Sequence, residues 1–185
     1  MLSTKKILSV IFILLIFLIS TCSLSARTVE KQMLLAALTF NVARFTSWPE
    51  QTFNDTASKL NLCVLGDNLV QLSLANIDNK TVNSRVVRII NISRLRKLKQ
   101  CHLLYISELE RNKLAPLLFE LKEQPILTIG ENMAFIQAGG MVGLEKINGK
   151  IKLTINLPRV KQSGLIINSR LLKLANIVDS STTTH

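Results

Sequence analysis

The chain has 185 residues, of which 48% are hydrophobic, and 23 lysines and arginines against 12 aspartates and glutamates give a formal net charge of +11. It carries three cysteines and two histidines, with no nucleophile elbow, paired-carboxylate motif or metal-ligand spacing, and so points away from an enzyme, a cofactor or a metal site.

The amino terminus reads as a targeting segment rather than part of a fold. Lys5 and Lys6 precede an apolar run from Ile7 to Ile19 that contains one polar residue, Ser9, and the small residues Ser20, Thr21, Ser23, Ser25 and Ala26 follow. This is the order of a secretory signal, and the run falls short of the ~20 residues that a membrane span needs. Ser23 and Ser25 occupy the −3 and −1 positions for cleavage before Ala26. The expected organisation is therefore a signal peptide over 1–25, one domain over 26–179 and a disordered tail over 180–185. A competing reading takes Ile19 to Cys22 as a lipoprotein box with the lipid on Cys22, although Thr21 is a poor residue before that cysteine.

Export changes what the charge and the cysteines mean. Loss of Lys5 and Lys6 lowers the net charge from +11 to +9. An exported basic chain meets anionic headgroups, acidic partner surfaces or small anionic ligands rather than nucleic acid. Cleavage also leaves Cys63 and Cys101 as a single pair, and an oxidising compartment favours a disulfide between them over free thiols. Closing a loop of that length is worth about 4 kcal/mol in the chain-entropy picture. Metal binding through these cysteines, His102 and His185 is the weaker alternative, because the spacing does not suit zinc.

In chain order, Val29, Met33, Leu34, Ala37, Leu38, Val42 and Phe45 recur at helical spacing and predict an amphipathic helix from Thr28 that stops near Trp48-Pro49. Trp48 reads as a core or lid residue under the polar loop that follows, Gln51 to Lys59. Leu60 to Leu65 predicts a buried strand ending at Gly66-Asp67, and Asp67-Asn68 can cap a short helix through Leu74 or Ala75. Val82 to Ile92 reads as one continuous strand. The basic stretch Ser93 to Lys99 predicts a short helix with Leu95 and Leu98 inward.

Cys101 to Ile106 is apolar throughout, as a strand covered on both faces would be, with His102 a structural residue at its start. Ser107 to Glu110 spells a capping box, predicting a helix to about Lys122 that Pro116 kinks or breaks. Pro125 to Gly130 is a strand, and Glu131 to Ala138 a loop or a single helical turn. After Gly139-Gly140, Met141 to Lys146 and Lys150 to Asn156 form a hairpin around Asn148-Gly149. Leu157 to Val178 reads as two helices, broken at Gly164 and capped again at Asn168 or Ser169. The fold class is α/β: a central mixed β-sheet flanked by helices, with a C-terminal β-hairpin followed by helices.

Several stretches in register resemble the YfiR family of exported bacterial proteins. They are Asn41-Val42-Ala43-Arg44-Phe45 with Trp48-Pro49, Leu62 to Asp67, Cys101 to Ser107, Pro125 to Thr128, Gly139 to Val142 with its hairpin, and Ser163-Gly164-Leu165 leading to Asn168 through Ala175. The resemblance implies a periplasmic repressor that binds the periplasmic sensory domain of an inner-membrane diguanylate cyclase, lowering cyclic di-GMP and biofilm formation, and that forms a homodimer. Cys63 and Cys101 stand where the family's core disulfide stands. A second, redox-sensitive pair found in some members is missing, since Phe135, Ile136 and Gly143 occupy that region.

The partner-binding candidates are Arg44, Phe45 and Trp48, which lie in a family block beside a loop. The alternative function is a periplasmic sensor for a small, anionic ligand, held by loops at strand ends that include Gly66, Asp67, Gly139 and Gly140. The leader reading has a direct check. Mass spectrometry of the exported protein should find a chain beginning at Ala26, whereas a diacylated Cys22 at the amino terminus would establish the lipoprotein reading instead.

Overall fold

The computed structural model describes residues 22–54, 58–66, 68–92, 95–107, 109–147 and 149–179. The apolar core of the expected signal peptide, Asp67, Asn148 and the tail from Ser180 lie outside them. The first half of the chain folds as α1 (Cys22–Arg44), β1 (Thr46–Ser47), β2 (Leu60–Leu65), α2 (Asn68–Ala75), β3 (Thr81–Val82), β4 (Arg85–Asn91) and β5 (Leu103–Ile106). The second half adds α3 (Arg111–Glu120), β6 (Leu127–Gly130), α4 (Met133–Gln137), β7 (Val142–Ile147), β8 (Lys150–Asn156), α5 (Leu157–Gln162), β9 (Ile166–Ile167), α6 (Ser169–Leu172) and β10 (Asn176–Val178). Short 3-10 turns cover Glu50–Thr52 and Leu95–Gln100.

Strands β5 and β6 are buried at every position, and β2 at most. Apolar residues on both sides of a strand require a layer on each face, and the sheet obtains them. Leu62 and Val64 of β2, with Leu103 and Tyr105 of β5, pack under Leu35, Ala36 and Val42 of α1 and Val70 and Leu74 of α2. The alternate residues, Cys63, Leu104 and Ile106, pack against Leu114, Leu117 and Leu118 of α3 and Phe135 and Ile136 of α4. The strand period of two thus sorts a continuous apolar run into two cores.

The eight-stranded sheet runs β10-β8-β7-β6-β5-β2-β4-β3. β4, β2, β5, β6 and β7 are mutually parallel neighbours. Taken alone they have the spatial order second-first-third-fourth-fifth, a doubly wound arrangement with its switch point between β2 and β5. β7 and β8 form the expected antiparallel hairpin, with Ile147 opposite Lys150, and β10 returns parallel to β8. Separately, β1 and β9 pair as a two-stranded ribbon that ties the end of α1 to the last third of the chain. Among the described residues no helix is long and apolar enough to cross a membrane.

Three expectations are corrected. The stretch expected as one strand is a hairpin, β3 and β4, turned at Asn83 and Ser84 with φ of 49° and 66°. A two-residue turn of this kind needs left-handed angles at both positions, and here Asn and Ser supply them without the glycine that normally signals it. Second, α3 starts at Arg111 rather than at Ser107, and Glu110 at its N-cap makes no side-chain cap bond. Ser107 is occupied elsewhere: its N–H donates to the Leu65 carbonyl at 3.1 Å, extending the β2–β5 ladder. Pro116 sits inside α3 without ending it.

Third, the expected final helix shrinks to the four residues of α6, whose N-cap Asn168 accepts from the Arg170 N–H. Leu174, expected on its apolar face, is 79% exposed, and the chain becomes β10 instead. β8 would otherwise present an open edge, and pairing the backbone of the β-branched Ile177 and Val178 with it satisfies that edge.

Cys63 and Cys101 are joined by a disulfide, Cα atoms 5.7 Å apart across a separation of 38 residues. Both are buried. Cys63→Ser should lower the free energy of unfolding by about 2–4 kcal/mol. Chemical denaturation measures it, and the double variant Cys63→Ser/Cys101→Ser should be close to either single one; equal stability with and without reductant would refute a structural role.

Candidate functional site

The three partner-binding candidates converge on one cleft. α1 ends at Arg44, where the Phe45 N–H donates back to Asn41 and the Thr46 hydroxyl to the Val42 carbonyl at 2.8 Å. The chain then enters β1, where Thr46 opposes Ile167 and the Asn168 N–H donates to the Phe45 carbonyl at 2.8 Å. Asn83, from the β3–β4 turn, donates its amide to the Thr46 carbonyl at 2.9 Å. Pro49 terminates this corner, and the Trp48 indole N–H reaches the His102 carbonyl at 3.0 Å. Trp48 is therefore half-buried and tethered at its polar end, as expected of a lid residue.

The cleft has a volume of about 370 Å³, and its lining includes Arg44, Phe45, Trp48, Phe53, Arg85 and Asn168. Leu60 and Arg85, at the first positions of β2 and β4, form its inner wall, so it opens at the amino-terminal edge of the sheet. Arg85 lies over the Phe53 ring, 3.7 Å from its centroid, and donates to the Ser58 carbonyl at 2.9 Å. Phe53 also stacks on His102, with centroids 4.6 Å apart. Sequence reasoning singled out none of Phe53, Asn83 and Arg85 for this site. Phe53 is the one aromatic side chain in a polar loop, and Arg85 becomes visible only once the β3–β4 turn is known.

His102 is held by several contacts at once. Its Nδ1 accepts from the Asn61 N–H at 2.9 Å, which fixes that nitrogen as unprotonated. Burial pushes its pKa below the usual histidine value, a hydrogen bond with the Thr52 backbone opposes that shift, and the Arg85 charge adds to it.

The expected ligand loops lie apart. Gly66 follows the carboxyl end of β2, while Gly139 and Gly140 precede the amino end of β7, so in this parallel arrangement they stand at opposite edges. A Cβ on Gly66 would collide with the Ser107 side chain, and one on Gly140 with the Phe135 ring. Gly139 has a φ of +99°, which an L side chain rarely adopts. Close packing and backbone angle account for these glycines, and Asp67 lies outside the described residues. Glu131, beyond β6, is bound by Lys31 at 2.8 Å and by the Tyr105 hydroxyl at 3.1 Å.

What the cleft offers is aromatic surface, two guanidinium groups and one carboxylate, Glu50. That set can bind but has no nucleophile paired with a base. Among the described residues no three His, Cys, Asp or Glu side chains gather to hold a metal ion.

The lowered pKa of His102 carries a pH dependence. The unfolded chain holds the imidazole proton more tightly than the folded one, so stability is full above the unfolded value of ~6.5 and is lost as pH falls below it toward the folded value. Thermal unfolding from pH 8 to pH 5 should show this loss, and His102→Phe should flatten it. An undiminished slope in that variant would assign the effect to other groups.

No curated protein matches the chain. The model of the YfiR/HmsC-like family matches residues 32–176, a span that runs from within α1 to the first residue of β10 and takes in both cysteines of the disulfide, the cleft and seven of the eight strands of the sheet in full. The chain belongs to the YfiR/HmsC-like family.

Proposed function

We propose that the protein is a periplasmic repressor that binds the periplasmic sensory domain of an inner-membrane diguanylate cyclase and keeps it inactive, lowering cyclic di-GMP and biofilm formation. Family membership across residues 32–176 carries this reading. The cleft adds to it, because a half-buried tryptophan and phenylalanine beside exposed Arg44 make the kind of aromatic and arginine surface that dominates binding energy in protein interfaces. The working form is an exported domain over 26–179, released from a leader over 1–25 and acting as a homodimer, with Arg44, Phe45 and Trp48 facing the partner. It is a binding protein and not an enzyme.

A small-ligand sensor using the glycine loops is the weaker reading, since Ser107 and Phe135 already fill the space beside Gly66 and Gly140.

Deleting the gene in a strain that expresses the cyclase should raise cellular cyclic di-GMP severalfold, and wild-type protein supplied in trans should reverse it. Arg44→Glu supplied at equal abundance should restore repression only weakly. An unchanged cyclic di-GMP level on deletion would sink the proposal.

A further inference from the structure

A second cavity, of about 430 Å³, adjoins the cleft on the other side of Phe53, which lines both. It lies on the disulfide-bearing face of the sheet. Asn61 and Arg88 are register partners there on β2 and β4, two residues before the Cys63–Ile90 pair. Lys59 enters from the chain before β2, and Lys99 and Gln100 from the 3-10 turn that ends beside Cys101. The wall is fastened twice: Asn61 donates its side-chain amide to the Gln100 carbonyl at 2.8 Å, and the disulfide closes the next turn inward.

The chemistry of this cavity is one-sided. Lys59, Arg88 and Lys99 line it from separate chain segments, and no carboxylate among the described residues lines it. None of the three makes a salt bridge among the described residues. Thr52, also in the lining, has a buried hydroxyl without a hydrogen-bond partner, a donor left over at the wall. Gathering like charges around one concavity is unfavourable until an anion neutralises them. An arginine fork with two ammonium groups suits the several oxygens of a phosphate better than a single carboxylate. The volume exceeds what a bare phosphate requires, leaving room for a small organic body.

We propose that this cavity, lined by Lys59, Arg88 and Lys99, is a binding site for a phosphate-bearing ligand, either a soluble phosphate monoester or the headgroup of an anionic phospholipid. The site is independent of the repressor reading and stands whether or not the chain controls a cyclase.

The test uses the exported, disulfide-bonded protein. Titration calorimetry with inorganic phosphate and with glycerol 3-phosphate reads the soluble source, and flotation with phosphatidylglycerol vesicles reads the lipid source. Arg88→Ala and Lys99→Ala should each weaken saturable binding about tenfold, the loss of one charge-assisted contact. Lys150→Ala, an exposed cation at the hairpin tip, should leave it unchanged. Binding of the soluble probes alone identifies a metabolite-type ligand, and binding of vesicles alone a headgroup. Equal weakening by Lys150→Ala, or no binding of any of the three probes, overturns the proposal. All three positions are exposed, and an unchanged circular dichroism spectrum separates lost binding from lost folding.

Discussion

The disulfide between Cys63 and Cys101 determines where the start of β5 lies, and the amino-terminal edge of the sheet is assembled on that short stretch. β2 and β5 are spatial neighbours separated in the chain by α2, β3, β4 and a 3-10 turn. Bringing such distant segments together costs loop-closure entropy, which a covalent link removes from the unfolded state. One residue beyond the link, His102 joins four hydrogen bonds to neighbouring segments. Its N–H donates to the Asn61 carbonyl, its Nδ1 accepts from the Asn61 N–H, and its carbonyl accepts from both Trp48 and Leu127. β2, β6 and the Trp48 corner are thereby referred to a single point.

That construction places the candidate cleft opposite the edge that topology would suggest. In an open doubly wound sheet, ligands usually settle outside the carboxyl ends of the strands, at the switch point. Here that position lies beyond β2 and β5, where Gly66 is packed against Ser107. The neighbouring Glu131 is likewise committed to Lys31 and Tyr105. The carboxyl edge has a concavity of about 470 Å³ beside Ser107 and Asn132, but no aromatic side chain among the described residues lines it, whereas the amino-terminal edge holds two adjoining concavities with aromatic and cationic walls. The β1–β9 ribbon belongs to the same edge, because it carries the chain from α1 to Trp48 and brings Asn168 against Phe45.

Most of the sheet was legible in the sequence because its signals are local. Continuous apolarity in Leu60 to Leu65 and Leu103 to Ile106, and Asn148-Gly149 between two strand-like runs, each act within a few residues. The misread parts depend on distant partners. Ser107 has the sequence of a helix cap but takes its place in the β2–β5 ladder, and Asn176 to Val178 became a strand because β8 offered an edge. The cleft was legible only in outline. Arg44, Phe45 and Trp48 stood out together, but Arg85 joins them through a turn whose left-handed residues are Asn and Ser, and Phe53 through stacking on His102. Tertiary pairing decided each of these against a reasonable local reading.

The two arginines of the cleft have different physical roles. Arg85 is anchored at both the Phe53 ring and the Ser58 carbonyl, so its guanidinium is already ordered, and little side-chain entropy is lost when something binds beside it. Arg44 is exposed at the carboxyl end of α1, where a cation complements the helix dipole, and 6.0 Å from the Phe40 ring. An exposed charge is screened beyond about 8 Å at physiological ionic strength and contributes mainly to the rate of encounter with an acidic surface. In the proposed complex the residence time of a partner would then come from the half-buried faces of Phe45 and Trp48, where water would be displaced on contact. Because the Trp48 indole is held through His102, and His102 lies next to the disulfide, the geometry of that aromatic surface is set by the same constraint that holds the sheet together.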